Sequence, residues 1–308
     1  MRIALVTPAG AGTRNGNRHT ALRWAAFLRA AGHRVEISVQ WPGTPADAML
    51  ALHARRSHES IRAFPRDKPL VLALTGTDVY RDIHESAEAR ASLARADRLI
   101  VLQPKAAEEL ARPLRRKVHV VVQSSATRLR HEPKGRFRVC VIGHLRAEKD
   151  PLRILAALPY IDLPIEVIHL GAALDPRLVP RTEDPRYRWL GSVPHAQALR
   201  RLASSHVMVI SSRLEGGANV VCEALRMGVP VIASRISGNQ GLLGARYPAY
   251  FPVEDERALA RLVVRAASDS GFYRRMKAHM RKLRPSVAPQ AEARALRAAM
   301  RDAIASRG

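Results

Sequence analysis

Cysteine, aromatic and acidic residues are all scarce in this 308-residue sequence. Its two cysteines, Cys140 and Cys222, lie in apolar surroundings, which favours buried, reduced thiols over a disulfide and predicts a cytoplasmic protein. No apolar run approaches the roughly 20 residues that a membrane span needs. Residues 1–6 are too short an apolar stretch, and too weakly basic, to predict a signal peptide. The length and the hydrophobic content of 47% predict one large or two ordinary globular domains.

The shortage of acidic residues leaves 51 lysines and arginines against 27 aspartates and glutamates, a net charge of +24. Nucleic acid, an anionic membrane surface and small anionic substrates all attract such a charge. Aromatic residues make up only 5% of the chain and are not interleaved with the arginines as base-stacking platforms would be. We therefore expect small anionic substrates and no nucleic acid, with peripheral contact to a membrane surface left open. The sequence carries no signal for an oligomeric state.

Several signatures of catalytic chemistry are missing. The sequence has no H-x-x-x-H, C-x-x-C or D-x-D cluster to bind a catalytic metal, and no G-x-S-x-G elbow of the common hydrolases. Gly10, Gly12 and Gly16 are spaced one residue too far for the dinucleotide fingerprint G-x-G-x-x-G. We therefore expect a reaction that uses no metal ion and no cofactor.

Short apolar runs alternate with helical patterns along the chain, which predicts parallel sheets with helices on both faces. The predicted strands are 3–7, 35–39, 49–52, 70–74, 99–102, 118–122, 137–142, 165–170, 187–190, 207–210 and 230–233. A polar stretch without periodicity, 124–135, separates the two sets of strands. The predicted fold is α/β, with two Rossmann-like, doubly wound domains that face an interdomain cleft. The predicted domains are 1–132, 133–285 and a C-terminal helical segment, 286–308.

The most informative stretch runs from Glu215 to Glu223, where two carboxylates eight positions apart flank a small-residue turn. A buried strand precedes the turn, and a helix predicted from Asn219 to Met227 follows it. Loop amides and a helix dipole at such a turn favour a diphosphate, and carboxylates suit sugar or ribose hydroxyls. Alternatively, Glu215 complements the helix dipole and Glu223 lies on a solvated helix face. The spacing alone is compatible with both interpretations.

A second cationic turn follows the strand predicted at 137–142. Arg146 and Lys149 lie three positions apart there, so both can reach one diphosphate, the arginine through its fork and the lysine as a point charge. The alternative is a pair of exposed loop cations without a ligand. Further along, Gly191 follows the strand predicted at 187–190, where free backbone groups suit the edge of a nucleobase.

The first half carries its own glycine-rich loop between a strand and a helix. Loop amides, Arg14, Arg18 and His19 form a candidate cradle for an anion, and the alternative is an ordinary tight turn with exposed arginines. The segment from Thr75 to Asp78 also follows a strand, so its hydroxyls and amides suit an acceptor. Asp78 is either a helix cap or a general base, and capping is the favoured interpretation.

Taken in order, Gly143–Asp150, Leu190–Pro194 and Glu215–Glu223 resemble the donor domain of GT-B glycosyltransferases, family 4 in particular. The resemblance implies a metal-independent transferase with two Rossmann-like domains, whose last helix, matching 290–304, returns to the first domain. It also implies that Arg146 and Lys149 hold the donor diphosphate, that Glu223 binds the ribose and that Glu215 contacts the transferred sugar. The implied nucleotide-sugar site comprises Gly143, Arg146, Lys149, Gly191, Glu215, Gly216, Gly217, Ala218, Asn219, Val220 and Glu223.

A narrower resemblance covers nearly the whole chain. The segments 16–24, 74–80 and 215–219 are similar to those of the selenosugar synthases of selenoneine biosynthesis. That family joins a UDP-sugar, typically UDP-N-acetylglucosamine, to the selenium of selenophosphate. Selenophosphate is already anionic and strongly nucleophilic, so it needs positioning and charge screening more than a general base.

On this basis two sets of residues are expected to serve the reaction. The expected catalytic residues are Arg146, Lys149, Glu215 and Arg18. The expected acceptor-binding residues are Thr13, Arg14, Asn15, Gly16, Asn17, Arg18, His19, Thr75, Gly76, Thr77 and Asp78.

Two rival functions stay open at the level of sequence. One is a conventional family 4 O-glycosyltransferase that acts on an envelope lipid or glycan, with the basic surface docked to anionic lipid. The other is a non-catalytic, basic nucleic-acid-binding protein, whose binding would depend steeply on salt.

Overall fold

A computed structural model of the protein describes residues 1–12, 16–76 and 78–307. The chain divides into two compact units, Met1–Gln123 with Pro289–Gly308 and Ser124–Ala288. Residues 124–132, which the sequence assigned to the first domain, lie in the second unit, as do residues 286–288. Each unit contains one parallel sheet of six strands. No helix in the described ranges is both long enough and apolar enough to cross a membrane.

The strands of both units are numbered in chain order. They are β1 (Arg2–Val6), β2 (Arg34–Ser38), β3 (Ala48–Leu52), β4 (Leu70–Leu74), β5 (Arg98–Val101), β6 (Val118–Val120), β7 (Arg138–Ile142), β8 (Glu166–Leu170), β9 (Tyr187–Trp189), β10 (Val207–Ile210), β11 (Val231–Ser234) and β12 (Tyr250–Phe251). The predicted strands match β1 to β11 to within two residues at either end. The two-residue strand β12 was not predicted.

The α-helices connect these strands. They are α1 (Gly16–Ala30), α2 (His58–Ala63), α3 (Ile83–Glu85), α4 (Ala87–Arg95), α5 (Arg112–Arg115), α6 (Arg153–Ala157), α7 (His195–Ala203), α8 (Asn219–Met227), α9 (Ser237–Leu243), α10 (Glu256–Ser268), α11 (Ser270–Leu283) and α12 (Pro289–Ala305). Helices α10 and α11 follow each other directly, and between them the Asp269 carboxylate accepts the Phe272 amide at 2.8 Å and caps α11.

The first sheet has the strand order β2-β1-β3-β4-β5-β6. Alternate residues of its central strands enter two different hydrophobic clusters: Leu72 and Leu74 pack on one face, and Val71 and Ala73 on the other. Burial of both faces explains why these strands are continuous apolar runs in the sequence. Because every pairing is parallel, the carboxyl ends of all six strands lie along one edge.

Helices α1 and α12 cover one face of the first sheet. In α1 the residues Thr20, Ala21, Trp24, Ala25 and Leu28 are buried at helical spacing, and Gly32, at φ 86°, ends the helix. The C-terminal helix α12 packs Leu296, Ala299, Met300 and Ala303 into the same cluster. Its buried Glu292 accepts the Trp24 indole N–H at 2.7 Å and the Arg23 guanidinium at 2.8 Å. The last helix therefore belongs to the first unit.

The second sheet has the strand order β12-β11-β10-β7-β8-β9. Strands β7 and β10 are parallel neighbours at its centre, with Val141 opposite Val209. Ligands of doubly wound sheets bind outside the carboxyl ends of the strands, at the place where the strand order reverses. The loops that follow β7 and β10 lie at that place.

Candidate functional site

The loops after β7 and β10 are hydrogen-bonded to each other. The Arg213 amide donates to the Glu148 carbonyl at 2.9 Å, and the Ser211 hydroxyl donates to the Asp150 carbonyl at 2.7 Å. Asp150 adopts a left-handed conformation, with φ 42°, and its carboxylate accepts the Arg153 guanidinium at 2.8 Å. These contacts fix the cationic turn 146–150 against the loop that begins the Glu215 stretch.

Lys149 and Glu215 meet at the centre of these two loops. The Lys149 ammonium donates to Oε1 of Glu215, and the Ser212 hydroxyl donates to the same oxygen at 2.6 Å. Glu215 is 7% exposed. Among the described residues, Oε2 of Glu215 has no hydrogen-bond donor. The carboxylate is therefore held through one oxygen, and the other is available to a hydroxyl group of a ligand.

The backbone of Glu215 is supported from below by α9. A Cβ atom added at Gly238 would lie 2.0 Å from the Glu215 carbonyl oxygen, so the helix approaches more closely than any other residue type allows. Ser234 donates to the Ser212 carbonyl at 2.6 Å, and Asn239 donates to the Ser234 hydroxyl at 3.1 Å. This chain of buried polar groups fixes the loop that carries Glu215.

Gly143 directly follows β7, and its carbonyl contacts the buried side chain of His169. Nδ1 of His169 lies 2.6 Å from the Tyr187 hydroxyl, and its Nε2 lies 3.1 Å from the Gly143 carbonyl. Because a carbonyl only accepts, Nε2 carries the proton and Nδ1 accepts from the tyrosine. Burial lowers the pKa of His169 to about 4, so the imidazole is neutral at pH 7. A Cβ atom at Gly171 would lie 1.9 Å from the Gly143 carbonyl oxygen.

The remaining parts of the second unit's candidate site surround the start of α8. Arg146 is exposed and has no ion-pair partner among the residues described. Gly216 is buried, and the nine-residue helix α8 begins after Ala218, whose side chain makes no capping hydrogen bond. The amides at a helix start, next to Lys149 and Arg146, suit a diphosphate.

Glu223 lies one turn inside α8 and contacts His195, the first residue of α7. Oε1 of Glu223 is 2.7 Å from Nε2 of His195, and this hydrogen bond raises the pKa of the histidine. Gly191, at φ 64°, turns the chain just before α7, and its carbonyl accepts the Gly171 amide at 2.8 Å. His195 directly follows the sequence motif Leu190–Pro194, and nothing in that motif predicts the contact with Glu223.

In the first unit, Asp78 has a different role from the one predicted. Its fully buried carboxylate accepts the backbone amides of Thr75 (3.0 Å), Gly76 (2.8 Å) and Ala54 (3.1 Å). These amides precede Asp78 in the chain, so the helix-cap prediction is wrong: the side chain fixes the turn behind it. Burial and three donors also make the carboxylate a poor candidate for a general base. Thr77, from the same predicted segment, lies outside the described residues.

The glycine-rich loop is described only in part. Thr13, Arg14 and Asn15 lie outside the described residues. Gly16, Asn17, Arg18 and His19 form the first turn of α1, where Gly16 and His19 are exposed and the other two are half-buried. The Thr20 hydroxyl donates to the Gly16 carbonyl at 2.9 Å, which ties this turn to the buried side of the helix.

His53 was not singled out from the sequence. It follows β3 at the carboxyl edge of the first sheet, is 4% exposed and has φ 76°, a rare conformation for a residue other than glycine. Its ring nitrogens lie 4.0 Å from Asp78 and 3.7 Å from Asp82, and burial lowers its pKa. No motif surrounds His53, so neither its positive φ nor its proximity to two carboxylates distant in sequence could be predicted. Within the described ranges, no three potential ligands cluster as a metal site.

A family model for "Glycosyl transferases group 1" matches residues 136–269. The match lies within the second unit and includes every residue of its candidate site. No curated protein matches the chain.

Solved structures match both units. A sucrose-phosphate synthase from Thermosynechococcus elongatus is 17% identical, with 99% of each chain covered and a TM-score of 0.79. HepE from Anabaena, solved in complex with UDP-glucose, is 14% identical, with 98% of this chain and 99% of that chain covered and a TM-score of 0.78. A glycosyltransferase from Rickettsia africae is 12% identical, with 98% of each chain covered and a TM-score of 0.72. These similarities show that the chain has the GT-B fold.

Proposed function

From a GT-B fold whose second unit matches the group 1 glycosyl transferases, we propose that the protein transfers a sugar from a UDP-sugar to the selenium of selenophosphate. The donor on this proposal is UDP-N-acetylglucosamine, and the products are UDP and a 1-selenosugar derivative. The observation that carries the proposal is the Lys149–Glu215 pair at the carboxyl ends of β7 and β10. It joins a cation suited to a diphosphate with a carboxylate suited to a sugar hydroxyl.

Lys149 and Arg146 would bind the donor diphosphate. An ammonium group has three N–H donors, so Lys149 can keep its bond to Glu215 and still donate to phosphate oxygens. Arg146 is exposed and adds a fork that matches a phosphate group. The amides of Gly216 to Val220 at the start of α8 add further donors. These groups supply the positive charge that a metal ion provides in other phosphate sites, so the proposed reaction uses none.

The two carboxylates would bind the hydroxyl groups of the donor. Oε2 of Glu215 faces no donor among the described residues and suits a hydroxyl of the transferred sugar. Glu223 is anchored to His195 through Oε1 in the same manner and suits the ribose. HepE, which is similar in fold, has been solved with UDP-glucose, which supports a uridine nucleotide.

The bond changes of the proposed step balance without a cofactor. The selenium lone pair attacks the anomeric carbon, a C–Se bond forms and the C–O bond to the diphosphate breaks. The bonding electrons leave with UDP, where Lys149, Arg146 and the α8 amides stabilise the new charge. The nucleophile is already anionic, so no base is needed. Asp78 is held by three backbone amides and is a poor general base, which is consistent with an acceptor that needs no deprotonation.

The first unit would bind selenophosphate through its glycine-rich loop and the turn after β4. Arg18 in the first turn of α1, with Arg14 before it, provides positive charge for the anion, and the imidazole of His19 adds a hydrogen-bonding group. Thr75 has a buried hydroxyl with no hydrogen-bond partner in the described structure. This part of the proposal rests on the segments 16–24 and 74–80, which are similar to those of the selenosugar synthases.

Release of UDP tests the proposal. The protein is incubated with UDP-N-acetylglucosamine or UDP-glucose, either alone, with selenophosphate, or with hydroxyl acceptors such as fructose 6-phosphate and glycerol phosphate. We expect UDP release that depends on selenophosphate. Release only with a hydroxyl acceptor would identify a conventional O-glycosyltransferase and overturn the selenium part of the proposal. If no UDP were released under any condition and the protein bound nucleic acid in a salt-sensitive manner, the proposed glycosyl transfer itself would be overturned.

A further inference from the structure

We propose that His195 positions Glu223 for the ribose of the nucleotide and so sets how strongly the protein recognises the ribose hydroxyls. His195 is a positioning residue on this proposal, because it acts through Glu223 and does not touch the reacting atoms. The inference rests on the proposed function, from which the ribose as the ligand of Glu223 is taken.

The contact joins two helices that are separate in sequence. Nε2 of His195 lies 2.7 Å from Oε1 of Glu223, and the two residues are 28 positions apart. The Glu223 side chain is only 14% exposed, whereas that of His195 is 57% exposed. The histidine therefore lies at the rim of the site and holds a carboxylate that is largely enclosed.

The backbone that leads into His195 is constrained. His195 begins α7 immediately after Pro194, whose ring restricts its φ to −57°, and the Gln197 and Ala198 amides both donate to the Pro194 carbonyl, at 2.9 and 3.0 Å. Gly191 begins this turn in a left-handed conformation. Because the backbone before His195 is constrained, the imidazole is a stable anchor for a side chain on the neighbouring helix.

A fixed carboxylate binds a diol better than a mobile one. Glutamate has three side-chain torsions, and ordering a long side chain on binding costs free energy that prior anchoring avoids. His195 occupies one lone pair of Oε1, which leaves Oε2 and the second lone pair of Oε1 for two hydroxyl groups. Glu215 is arranged in the same way by Lys149 and Ser212, so both carboxylates of the candidate site are anchored through Oε1.

The geometry also makes the contact with Glu223 more than an exposed ion pair. Surface pairs contribute little because both partners are solvated and mobile. Here the carboxylate is mostly enclosed, and it lies on the helix whose N-terminus forms the candidate diphosphate site. If His195 acted through its charge alone, its loss would change the affinity for UDP and for 2′-deoxy-UDP equally. If His195 positions Glu223, its loss changes mainly the affinity that depends on the ribose hydroxyls.

Calorimetric binding of UDP and of 2′-deoxy-UDP to the full chain distinguishes these two cases. The variants are His195→Ala, His195→Gln and Glu223→Ala, with Gln197→Ala as the control on an exposed position of the same helix. The glutamine carries an N–H donor at about the position of Nε2, so it tests hydrogen bonding without the imidazole charge. We expect His195→Ala to weaken UDP binding about three- to tenfold, as the net contribution of one typical hydrogen bond predicts.

His195→Ala should weaken the binding of 2′-deoxy-UDP less than that of UDP. The preference for UDP over 2′-deoxy-UDP should therefore fall toward the value in Glu223→Ala. His195→Gln should recover most of the preference, and Gln197→Ala should match the unsubstituted protein. In turnover, His195→Ala should raise the KM for the UDP-sugar and leave kcat within about twofold.

The outcomes separate the inference from the function on which it rests. If Glu223→Ala loses the preference for UDP while His195→Ala keeps it in full, the inference is wrong and the proposed function stands. An equal loss of UDP and 2′-deoxy-UDP affinity in His195→Ala would also overturn it, because His195 would then act through charge alone. No binding of UDP to the unsubstituted protein would overturn the proposed function itself.

Discussion

Lys149 and Glu215 form an ion pair between two loops that follow neighbouring strands of the second sheet, 66 positions apart in sequence. In the proposed function Lys149 binds the donor diphosphate and Glu215 binds the transferred sugar, so one contact connects the two parts of the donor site. Ser212 donates to the same carboxylate oxygen, and α9 supports the backbone beneath it. Loss of either charge should therefore lower both the catalytic activity and the free energy of unfolding.

Removal of the Lys149 charge should abolish most of the activity. We expect Lys149→Ala to lower kcat/KM by about 10²–10³-fold, the effect usually seen when one group that stabilises transition-state charge is lost. The substitution also leaves the mostly buried Glu215 without its cation, so the free energy of unfolding should fall by about 3 kcal/mol. Urea denaturation and initial rates of UDP release measure the two effects.

The double variant Lys149→Met with Glu215→Gln is the matched control. It removes both charges and leaves no unpaired ion, so stability should return to near that of the unsubstituted protein while activity stays low. If the double variant regained activity along with stability, the catalytic role of the pair would be refuted.

Gly238 should tolerate no side chain. Its added Cβ atom would lie 2.0 Å from the Glu215 carbonyl, which belongs to the backbone and has little freedom to move. We expect Gly238→Ala to weaken binding of the UDP-sugar and to lower activity at least tenfold. Gln240→Ala, on the same helix and half-exposed, is the control and should retain activity. Unchanged activity in Gly238→Ala would show that the position of Glu215 is unimportant.

His169 should make the protein less stable in acid. Burial lowers its pKa from 6.5 to about 4, so between these pH values the unfolded chain binds a proton that the native state excludes. Stability therefore rises with pH across this window, and the destabilising effect of His169 is gone above pH 6.5. Across the full window the effect of this one group is roughly 3 kcal/mol.

The variant His169→Gln isolates that contribution. Its free energy of unfolding, measured with urea from pH 4 to 7.5, should vary less with pH than that of the unsubstituted protein. Some dependence should remain, because burial also lowers the pKa of His131 to about 4. Identical pH dependence in the two proteins would show that His169 is not a buried neutral imidazole.

Glu292 should stabilise the attachment of α12 to the first unit. We expect Glu292→Ala to lower the free energy of unfolding by about 2–3 kcal/mol, because it leaves the buried indole N–H of Trp24 and the Arg23 guanidinium without this acceptor. Arg297→Ala, at an exposed position of the same helix, should change it by no more than about 0.5 kcal/mol. Equal effects of the two substitutions would contradict the role of Glu292.

The strands could be predicted from the sequence because both faces of each sheet are buried. Runs such as 70–74 and 207–210 are fully apolar, and they appear as β4 and β10 with the same bounds. Helix α8 was also predicted with its bounds, since Gly228 follows it in a left-handed conformation. The two-residue strand β12 has no such pattern and depends on its pairing with β11.

The partners of the site residues could not be predicted, because they come from distant parts of the chain. The positions of Lys149, Glu215 and Glu223 in loops and helices followed from local patterns. The contacts of Ser212 and His195 with these carboxylates did not, and neither did the position of His169 beneath Gly143. Asp78 shows the same limit: its carboxylate binds Ala54, 24 positions earlier, where local reasoning predicted a helix cap.

The central claim is that the protein joins the anomeric carbon of a UDP-sugar to selenium. The most direct measurement uses UDP-N-acetylglucosamine labelled with ¹³C at the anomeric carbon, together with ⁷⁷Se-labelled selenophosphate. We predict a product whose ¹³C resonance is split by a one-bond coupling to ⁷⁷Se, formed in amounts equal to the UDP released and absent with Glu215→Ala. UDP release with the ¹³C label recovered only in free sugar or in an oxygen-linked product would contradict the claim.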